Sequence, residues 1–234
     1  MFILLIATIL AANVISDVPT PKLDSSGKID CEFLRLHQSF LERARDGNIG
    51  VLFLGDSITK GWSWGDHAQI SDRYFGRYDP ANFGVGGDRT EHVLWRIENG
   101  ELDRIRPKVV VLLIGTNNIG DPADDIARGV LKVAERIHQK LPKSRLLLMG
   151  IFPRGADPSD PKVAAMRGKI AQVNQALAKL EDGKRTRFLD IGSKFLAPDG
   201  MLPKDIMPDS LHLNDKGYQI WAETMKPLLD EMMK

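Results

Sequence analysis

The sequence predicts an α/β fold, with one three-layer α/β/α domain built on a five-stranded parallel sheet. Strand-length and helix-length patterns alternate along most of the 234 residues, as in doubly wound domains. Several strand candidates are continuous apolar runs, which is typical of parallel strands covered by helices on both faces. No repeat, low-complexity segment or internal linker divides the chain, so a single domain is expected.

Each element is placed by its apolar spacing and its end signals. The predicted strands are Val51–Leu54, Ala81–Phe83, Val109–Ile114, Leu146–Ile151 and Arg187–Ile191. The predicted helices are Ile29–Arg45, Asp88–Glu98, Ala123–Leu141, Pro161–Leu180 and a last helix that ends near Met232. Asp88 and Glu91 have the spacing of a capping box at the start of the second helix. Asp160 lies at the positive end of the fourth helix, and Asn214 is expected to cap the last one.

The first sixteen residues are apolar and carry no charged side chain. This stretch is short for a membrane span and precedes a polar, proline-containing segment, so it predicts a secretory signal peptide. Cleavage at Val14-Ile15-Ser16 would leave a mature N-terminus near Asp17. We therefore expect a signal peptide and linker over residues 1–20, a folded domain over residues 21–234, and a secreted or periplasmic protein. An uncleaved membrane anchor is the alternative.

Composition excludes several classes of partner and cofactor. Lys and Arg total 32 and Asp and Glu total 31, a balance that gives no basic surface for nucleic acid or an anionic membrane. The single cysteine excludes an internal disulfide framework, and no clustered His, Asp or Glu set indicates a metal site. The glycine-rich stretch at 84–87 is not a dinucleotide fingerprint, because Arg89 occupies the place of its third glycine. No cofactor, no metal and no stable membrane span after processing are expected.

Four polar loops are predicted at one edge of the sheet. They are "GDS" after the first strand, "NFGVGGDRT" (82–90) after the second, "IGTNN" (114–118) after the third and "PDSLHLND" (208–215) before the last helix. In an open parallel sheet, binding groups gather beyond the carboxyl ends of the strands. We therefore expect these four loops to converge.

The loops contain the groups that ester hydrolysis by a serine needs. Ser57 provides a hydroxyl, and His212 an imidazole that can take its proton. Asp209 can orient that imidazole and stabilise it when it is charged. Gly87 can offer a backbone N–H without a side chain in the way, and Asn117 can offer a side-chain amide to the developing oxyanion.

Every one of these residues also has an ordinary structural explanation. Asp56 and Ser57 could form a turn or cap a helix, His212 could pack at a helix start, and Asn117 could be a turn former. Each explanation is credible for one residue. The occurrence of all the required groups in four loops of one sheet edge favours the chemical interpretation.

The four loops carry the sequence blocks of a known family. "GDSI", "GVGGD", "GTNN" and "DSLH" occur in this order, and the chain resembles the SGNH (GDSL-like) hydrolases over roughly residues 30 to 230. The long block "NFGVGGDRTEHVLWRIENGELDRIRPKVVVLLIGTNN" is similar almost throughout to the catalytic alpha subunits of intracellular platelet-activating factor acetylhydrolase, and the "PRG" at 153–155 also fits this group.

The resemblance implies roles for residues at the matching positions. It implies a flavodoxin-like SGNH hydrolase fold with Ser57, Asp209 and His212 as the catalytic triad. The backbone N–H groups of Ser57 and Gly87, together with the side chain of Asn117, would form the oxyanion hole. The serine of this family lies on a less sharp turn than the nucleophile elbow of α/β-hydrolases, so no G-x-S-x-G motif is expected.

The resemblance also implies an acyl pocket and a substrate class. Ile58, Thr116 and Leu211 would wall an acyl pocket of little more than methyl size, and the implied activity is hydrolysis of short-chain acetyl esters. The export signal departs from the cytosolic relatives and favours a second hypothesis, a secreted carbohydrate O-acetylesterase. A non-catalytic binding subunit on the same scaffold is the alternative of another class. The expected binding partner is a substrate, a small-molecule or carbohydrate acetyl ester. The relatives also suggest that the protein forms a homodimer.

Overall fold

The computed structural model describes residues 16–234, and residues 1–15, which hold most of the predicted signal peptide, lie outside this range. In this part of the chain, five strands form one sheet: β1 Val51–Gly55, β2 Pro80–Gly84, β3 Val109–Leu113, β4 Arg145–Met149 and β5 Thr186–Leu189. All neighbouring strands are parallel, in the order β2-β1-β3-β4-β5. This is the flavodoxin-like order, and the predicted α/β class with a five-stranded parallel sheet is confirmed.

Within residues 16–234, seven α-helices surround the sheet. They are α1 Cys31–Arg45, α2 Ser57–Lys60, α3 Gly65–Phe75, α4 Thr90–Arg96, α5 Ala123–Lys140, α6 Pro161–Ala178 and α7 Asp215–Met232. Helices α1, α4, α5 and α6 pack on one face of the sheet, and α3 and α7 on the other. In the described part of the chain, no helix combines the length and the apolar character that a bilayer span requires.

Alternation along each strand divides the core into two layers. In β1, Leu52 and Leu54 belong to the apolar cluster under α1, α4, α5 and α6. Val51 and Phe53 point the other way and join the cluster under α3 and α7. Because both faces are covered, every residue of β1 is buried, which is why these strands are continuous apolar runs in the sequence.

The start of α4 differs from the prediction. The helix begins at Thr90, and the predicted Asp88–Glu91 capping box does not form. The backbone N–H of Arg89 instead donates to Nδ1 of His92 at 3.1 Å, while the Asp88 carboxylate pairs with the buried Arg96. An unpaired buried charge is costlier than a lost helix cap, so the ion pair determines where Asp88 lies.

The caps of two other helices agree with the sequence, and two helices were missed, the four-residue α2 and α3. Asp160 caps α6 and Asn214 caps α7 through their side chains, as predicted. Helix α3 was not predicted. It buries only Ile70 and Phe75, which is too few apolar positions to give a clear helical period.

The N-terminal segment, residues 16–30, lies against α4 and α5. Ser16 is buried, donates through Oγ to Asp121 Oδ2 at 2.9 Å, and accepts from the hydroxyl of Thr90 through its carbonyl at 2.7 Å. Further along, the N–H of Thr20 donates to the carbonyl of Glu91 at 3.1 Å. Residues 16–20, assigned to the leader and linker from the sequence, are therefore in contact with the domain.

Candidate active site

The sheet register brings three of the four polar loops together. Gly55, the last residue of β1, pairs with Gly84 of β2 and with Leu113 of β3. The N–H of Val85 also donates to the carbonyl of Gly55 at 3.1 Å, which extends the contact beyond the strands. The loops after β1, β2 and β3 therefore leave the same point of the carboxyl edge, where open α/β sheets bind ligands.

Ser57 is the first residue of α2, directly after the end of β1. Asp56 caps this helix, since its Oδ1 accepts from the N–H of Ile58 at 2.9 Å. Asp56 is fully buried, and burial raises the pKa of its carboxyl to about 7. Gly55 is required here because a Cβ would lie 2.1 Å from the carbonyl oxygen of Leu113. The tight exit from β1 leaves the Ser57 side chain half-buried at the edge of the sheet.

The fourth loop brings His212 to Ser57. The Ser57 Oγ and His212 Nε2 atoms are 3.0 Å apart, although 155 residues separate them in the chain. On the other side of the ring, His212 Nδ1 lies 2.6 Å from Asp209 Oδ2. Serine, histidine and aspartate therefore form one hydrogen-bonded row, and the three residues selected from the sequence are brought together.

Asp209 and His212 are held in one short turn. Oδ1 of Asp209 accepts from the N–H groups of Leu211 at 3.0 Å and His212 at 2.7 Å, and Ser210 between them has a left-handed φ of 62°. Burial alone would raise the pKa of Asp209, but the hydrogen bonds from His212 and Leu211 outweigh it and the pKa is lowered. The carboxylate is thus held in its charged form beside the imidazole.

Gly87 lies in a tight turn after β2. The N–H of Asp88 donates to the carbonyl of Val85 at 3.2 Å, and Gly87, the third residue of this turn, has a φ of 71°. A positive φ at the third position but not at the second, Gly86, defines a type II turn. Within residues 16–234, the N–H of Gly87 donates to no other protein group, so it is free to bind a ligand.

Asn117 is tied to the Gly87 loop. Its Nδ2 donates to the backbone carbonyl of Asp88 at 2.8 Å. The backbone carbonyl of Asn117 accepts from Arg89 Nη1 at 3.2 Å. These bonds join the loop after β3 to the loop after β2. One hydrogen of the Asn117 amide is used by Asp88, which leaves the second as a donor.

A buried ion pair holds Asp88, the residue whose carbonyl binds Asn117. The Arg96 side chain is fully buried, and its Nε donates to Asp88 Oδ2 at 3.0 Å. Its Nη1 pairs with the buried carboxylate of Glu101, and its Nη2 donates to the carbonyl of Gly55 at 3.4 Å. Asp88 therefore holds a fixed position, and so does the carbonyl that orients the Asn117 amide.

The three residues expected at the acyl pocket occupy the predicted loops. Ile58 and Thr116 are 2% and 3% exposed, and Leu211 is half-buried and packs on the same apolar cluster as Ile58. Arg154 was not assigned a role from the sequence, although it lies within the "PRG" block. Its Nη1 donates to the backbone carbonyl of Thr116 at 3.1 Å and lies 3.4 Å from the Thr116 hydroxyl.

Comparison with known proteins identifies the family. Residues 53–220 match the GDSL-like lipase/acylhydrolase family. The chain belongs to this family. Like its members it is an ester-bond hydrolase, and the resemblance seen in the four sequence blocks is confirmed.

The relatives of this GDSL-like hydrolase include mammalian acetylhydrolase subunits. The chain is 36% identical over 212 residues to the platelet-activating factor acetylhydrolase IB subunit alpha1 of Homo sapiens, which covers 90% of this chain and 87% of that one. A GDSL-like lipase from Bacteroides thetaiotaomicron superposes with a TM-score of 0.63 at 18% identity, covering 85% and 97% of the two chains. An acetyl xylan esterase superposes with a TM-score of 0.61 at 21% identity, covering 76% and 98%. These two structural matches show the shared fold.

Proposed function

We propose that this GDSL-like hydrolase is a serine esterase that cleaves short-chain, acetyl esters through an acyl-enzyme, in the manner of a platelet-activating factor acetylhydrolase. The observation that carries the proposal is the continuous row of Ser57, His212 and Asp209, with contacts of 3.0 Å and 2.6 Å. A serine hydroxyl is a weak nucleophile and needs a neighbouring base. The row supplies a base that faces Ser57 Oγ directly.

The reaction follows from the direction of these contacts. His212 Nε2 takes the proton from Ser57 Oγ as this oxygen bonds to the ester carbonyl carbon, and Asp209 stabilises the imidazolium. His212 then gives the proton to the departing alcohol oxygen as the ester C–O bond breaks, which leaves an acyl group on Ser57. A water molecule, deprotonated by His212, attacks the acyl carbonyl carbon, and the proton returns to Ser57 Oγ as the acid leaves.

The negative oxygen formed at each attack needs donors that are already in place. We assign this role to the N–H groups of Ser57 and Gly87 and to the free hydrogen of Asn117 Nδ2. The Gly87 N–H has no other acceptor in the described part of the chain, and Asn117 is oriented through Asp88. Donors fixed before the reaction stabilise the transition state without having to reorganise.

The small acyl pocket expected at Ile58, Thr116 and Leu211 leads to a predicted acyl-chain preference. A longer acyl chain would have to displace packed side chains, at a cost of about 1–3 kcal/mol, or roughly 5- to 150-fold in rate. In a p-nitrophenyl ester series from acetate to octanoate, kcat/KM should be highest for acetate. The Leu211→Ala variant should flatten the series because it opens the pocket.

Leu34→Ala is the matched control for Leu211→Ala. Leu34 is 39% exposed on α1, so its truncation should leave the order of the ester series unchanged. A maximum at hexanoate or longer in the wild type would contradict the acetyl preference. Such a maximum would indicate a lipase-like or thioesterase-like pocket.

The alcohol part of the substrate is the finer question. The 36% identical alpha1 subunit supports a phospholipid acetyl ester. A secreted carbohydrate O-acetylesterase is the second candidate, and it is favoured by the accessibility of the Ser57–His212–Asp209 row. The side chains of His212 and Asp209 are 43% and 55% exposed, so a bulky acceptor can approach them. Comparing kcat/KM on acetylated xylan, a lyso-phospholipid acetate and simple acetates decides between the two.

We also propose that residues before the domain act as an export signal. Expression of the full chain in a secreting host should give a processed protein that starts near Asp17, measured by intact mass. The hydrogen bonds that Ser16 makes with Asp121 and Thr90 favour a cut directly before Ser16, the residue next to Asp17. A full-length product in the membrane fraction would instead support the anchor. The homodimer implied by the resemblance stays a prediction.

A further inference from the structure

A lysine from the N-terminal segment reaches the turn that contains Gly87. Lys22 Nζ donates to the carbonyl oxygen of Gly86 at 2.6 Å, and a Cβ placed on Gly87 would lie 3.0 Å from the same nitrogen. The Lys22 side chain is half-buried. Its backbone is fixed as well, because the carbonyl of Lys22 accepts from the N–H of Asp30 at 2.9 Å. The ammonium group is therefore held against the turn.

The oxygen that Lys22 binds belongs to the same peptide unit as the Gly87 N–H. This unit, between the second and third residues of the Val85–Asp88 turn, is the part that distinguishes type I from type II turns. A rotation of the unit by about 180° converts one type into the other. In the type I arrangement, the Gly87 N–H would point away from its present direction and the Gly86 carbonyl would take its place.

Glycine at both central positions leaves this rotation without steric opposition. Neither Gly86 nor Gly87 has a Cβ, so both turn types are accessible to the backbone. Among residues 16–234, Lys22 is the group that binds the Gly86 oxygen. The orientation of the peptide unit therefore depends on a contact from a segment that lies outside the four sequence blocks.

We propose that Lys22 is a positioning residue that holds the Gly86–Gly87 peptide in its type II orientation and polarises the Gly87 N–H as an oxyanion donor. The proposal rests on the oxyanion role assigned to Gly87 under the proposed function. A cation at the carbonyl end of an amide draws electron density from its nitrogen and strengthens the N–H as a donor, as in other hydrogen-bond chains. Lys22 acts on the reaction through Gly87 and needs no contact with the substrate.

The size of the effect has a lower and an upper bound. Loss of one complete oxyanion donor lowers kcat by about 100- to 1000-fold. Cooperative strengthening of about 10–30% per hydrogen bond corresponds on that scale to about two- to eightfold in kcat. Loss of polarisation alone gives the lower bound, and rotation of the peptide out of the site gives the upper one.

The kinetic test uses three variants with p-nitrophenyl acetate as substrate. Lys22→Met keeps most of the length of the side chain and removes its charge, and its kcat should fall by at least about two- to eightfold with KM nearly unchanged. Lys22→Arg keeps a donor and a charge, and it should recover most of the loss. Lys28→Met is the matched control, because Lys28 is an exposed lysine of the same segment, and it should behave as wild type.

A transition-state analogue separates oxyanion stabilisation from general structural damage. Methylboronic acid forms a tetrahedral adduct with a serine oxygen, and its affinity should fall in Lys22→Met by the same factor as kcat. A wild-type kcat in Lys22→Met would overturn the proposal. An effect on KM alone would also overturn it, because it would place Lys22 in a substrate-binding subsite instead.

The peptide orientation can also be observed without activity. Gly86–Gly87 is the only Gly–Gly pair in the sequence, so glycine labelled with carbonyl ¹³C and with ¹⁵N gives one correlated Gly–Gly amide signal. In a Ser57→Ala background, Lys22→Met should shift this signal, whereas Lys28→Met should not. An unshifted signal overturns the inference about Lys22. Full activity in Ser57→Ala alone would overturn the proposed function and leave the amide result standing.

Discussion

Replacement of Ser57 by alanine is expected to abolish esterase activity almost completely. Without Oγ, His212 has no proton to accept and no group in the site can form the acyl-enzyme. Removal of the nucleophile from a serine triad lowers kcat by about a million-fold in a well-studied case. Hydrolysis of p-nitrophenyl acetate, followed under single-substrate steady-state conditions, measures the loss.

Two controls make the Ser57 result specific. Ser193→Ala removes an exposed serine hydroxyl elsewhere in the chain and should retain full activity. An organophosphonate should label wild type at Ser57 and leave the alanine variant unlabelled, as read by peptide mass. A labelled peptide that lacks Ser57, or substantial activity in Ser57→Ala, would contradict the assignment. Absence of hydrolysis in the wild type would support a binding subunit instead.

Asp209→Asn is expected to lower kcat by up to about ten thousand-fold. The asparagine keeps the size of the side chain and an oxygen for the backbone N–H groups of Leu211 and His212. It no longer supplies a negative charge to the imidazolium, and its amide can turn an N–H toward Nδ1 and stabilise the wrong tautomer. The expected signature is a large fall in kcat with an unchanged fold.

The matched control is Asp205→Asn, since Asp205 is an exposed aspartate that pairs with Lys216 near the same loop. It should retain activity. In wild type, the lowered pKa of Asp209 keeps the carboxylate charged to a lower pH than usual for aspartate. Its stabilising effect is therefore present above the unfolded-state pKa and disappears only as pH falls through the lower folded-state value. Normal kinetics in Asp209→Asn would mean that the base has another partner.

The sheet and the three residues of the hydrogen-bonded row could be predicted because short stretches of sequence indicate them. Strand β3 is a run of five apolar residues, and burial on both faces produces such a run regardless of what surrounds it. Ser57, Asp209 and His212 lie in short blocks whose spacing is itself informative. The alignment of the carboxyl ends of parallel strands explains why the loops after β1, β2 and β3 converge. The loop with Asp209 and His212 instead leads into α7.

The remaining features depend on contacts that the sequence does not express locally. The Asp88–Glu91 spacing predicted a helix cap, yet the Asp88 carboxylate binds the buried Arg96, eight positions later in the chain. Lys22 and Arg154 act on backbone carbonyls of the loops. A carbonyl is present at every residue, so no side-chain pattern indicates which one a distant cation will bind.

The compact turn from Asp209 to His212 has a consequence for how the enzyme would lose activity under mild stress. Asp209 and His212 are hydrogen-bonded to each other within four residues, so thermal fluctuations move them as one unit. Among residues 16–234, the hydrogen bond from this unit to the nucleophile is the one between Ser57 and His212. Opening of the 208–214 loop would therefore separate His212 from Ser57 while the sheet stays folded. Inactivation in low urea should precede loss of ellipticity, and amide exchange should be faster in the 208–214 loop than in β1 and β3.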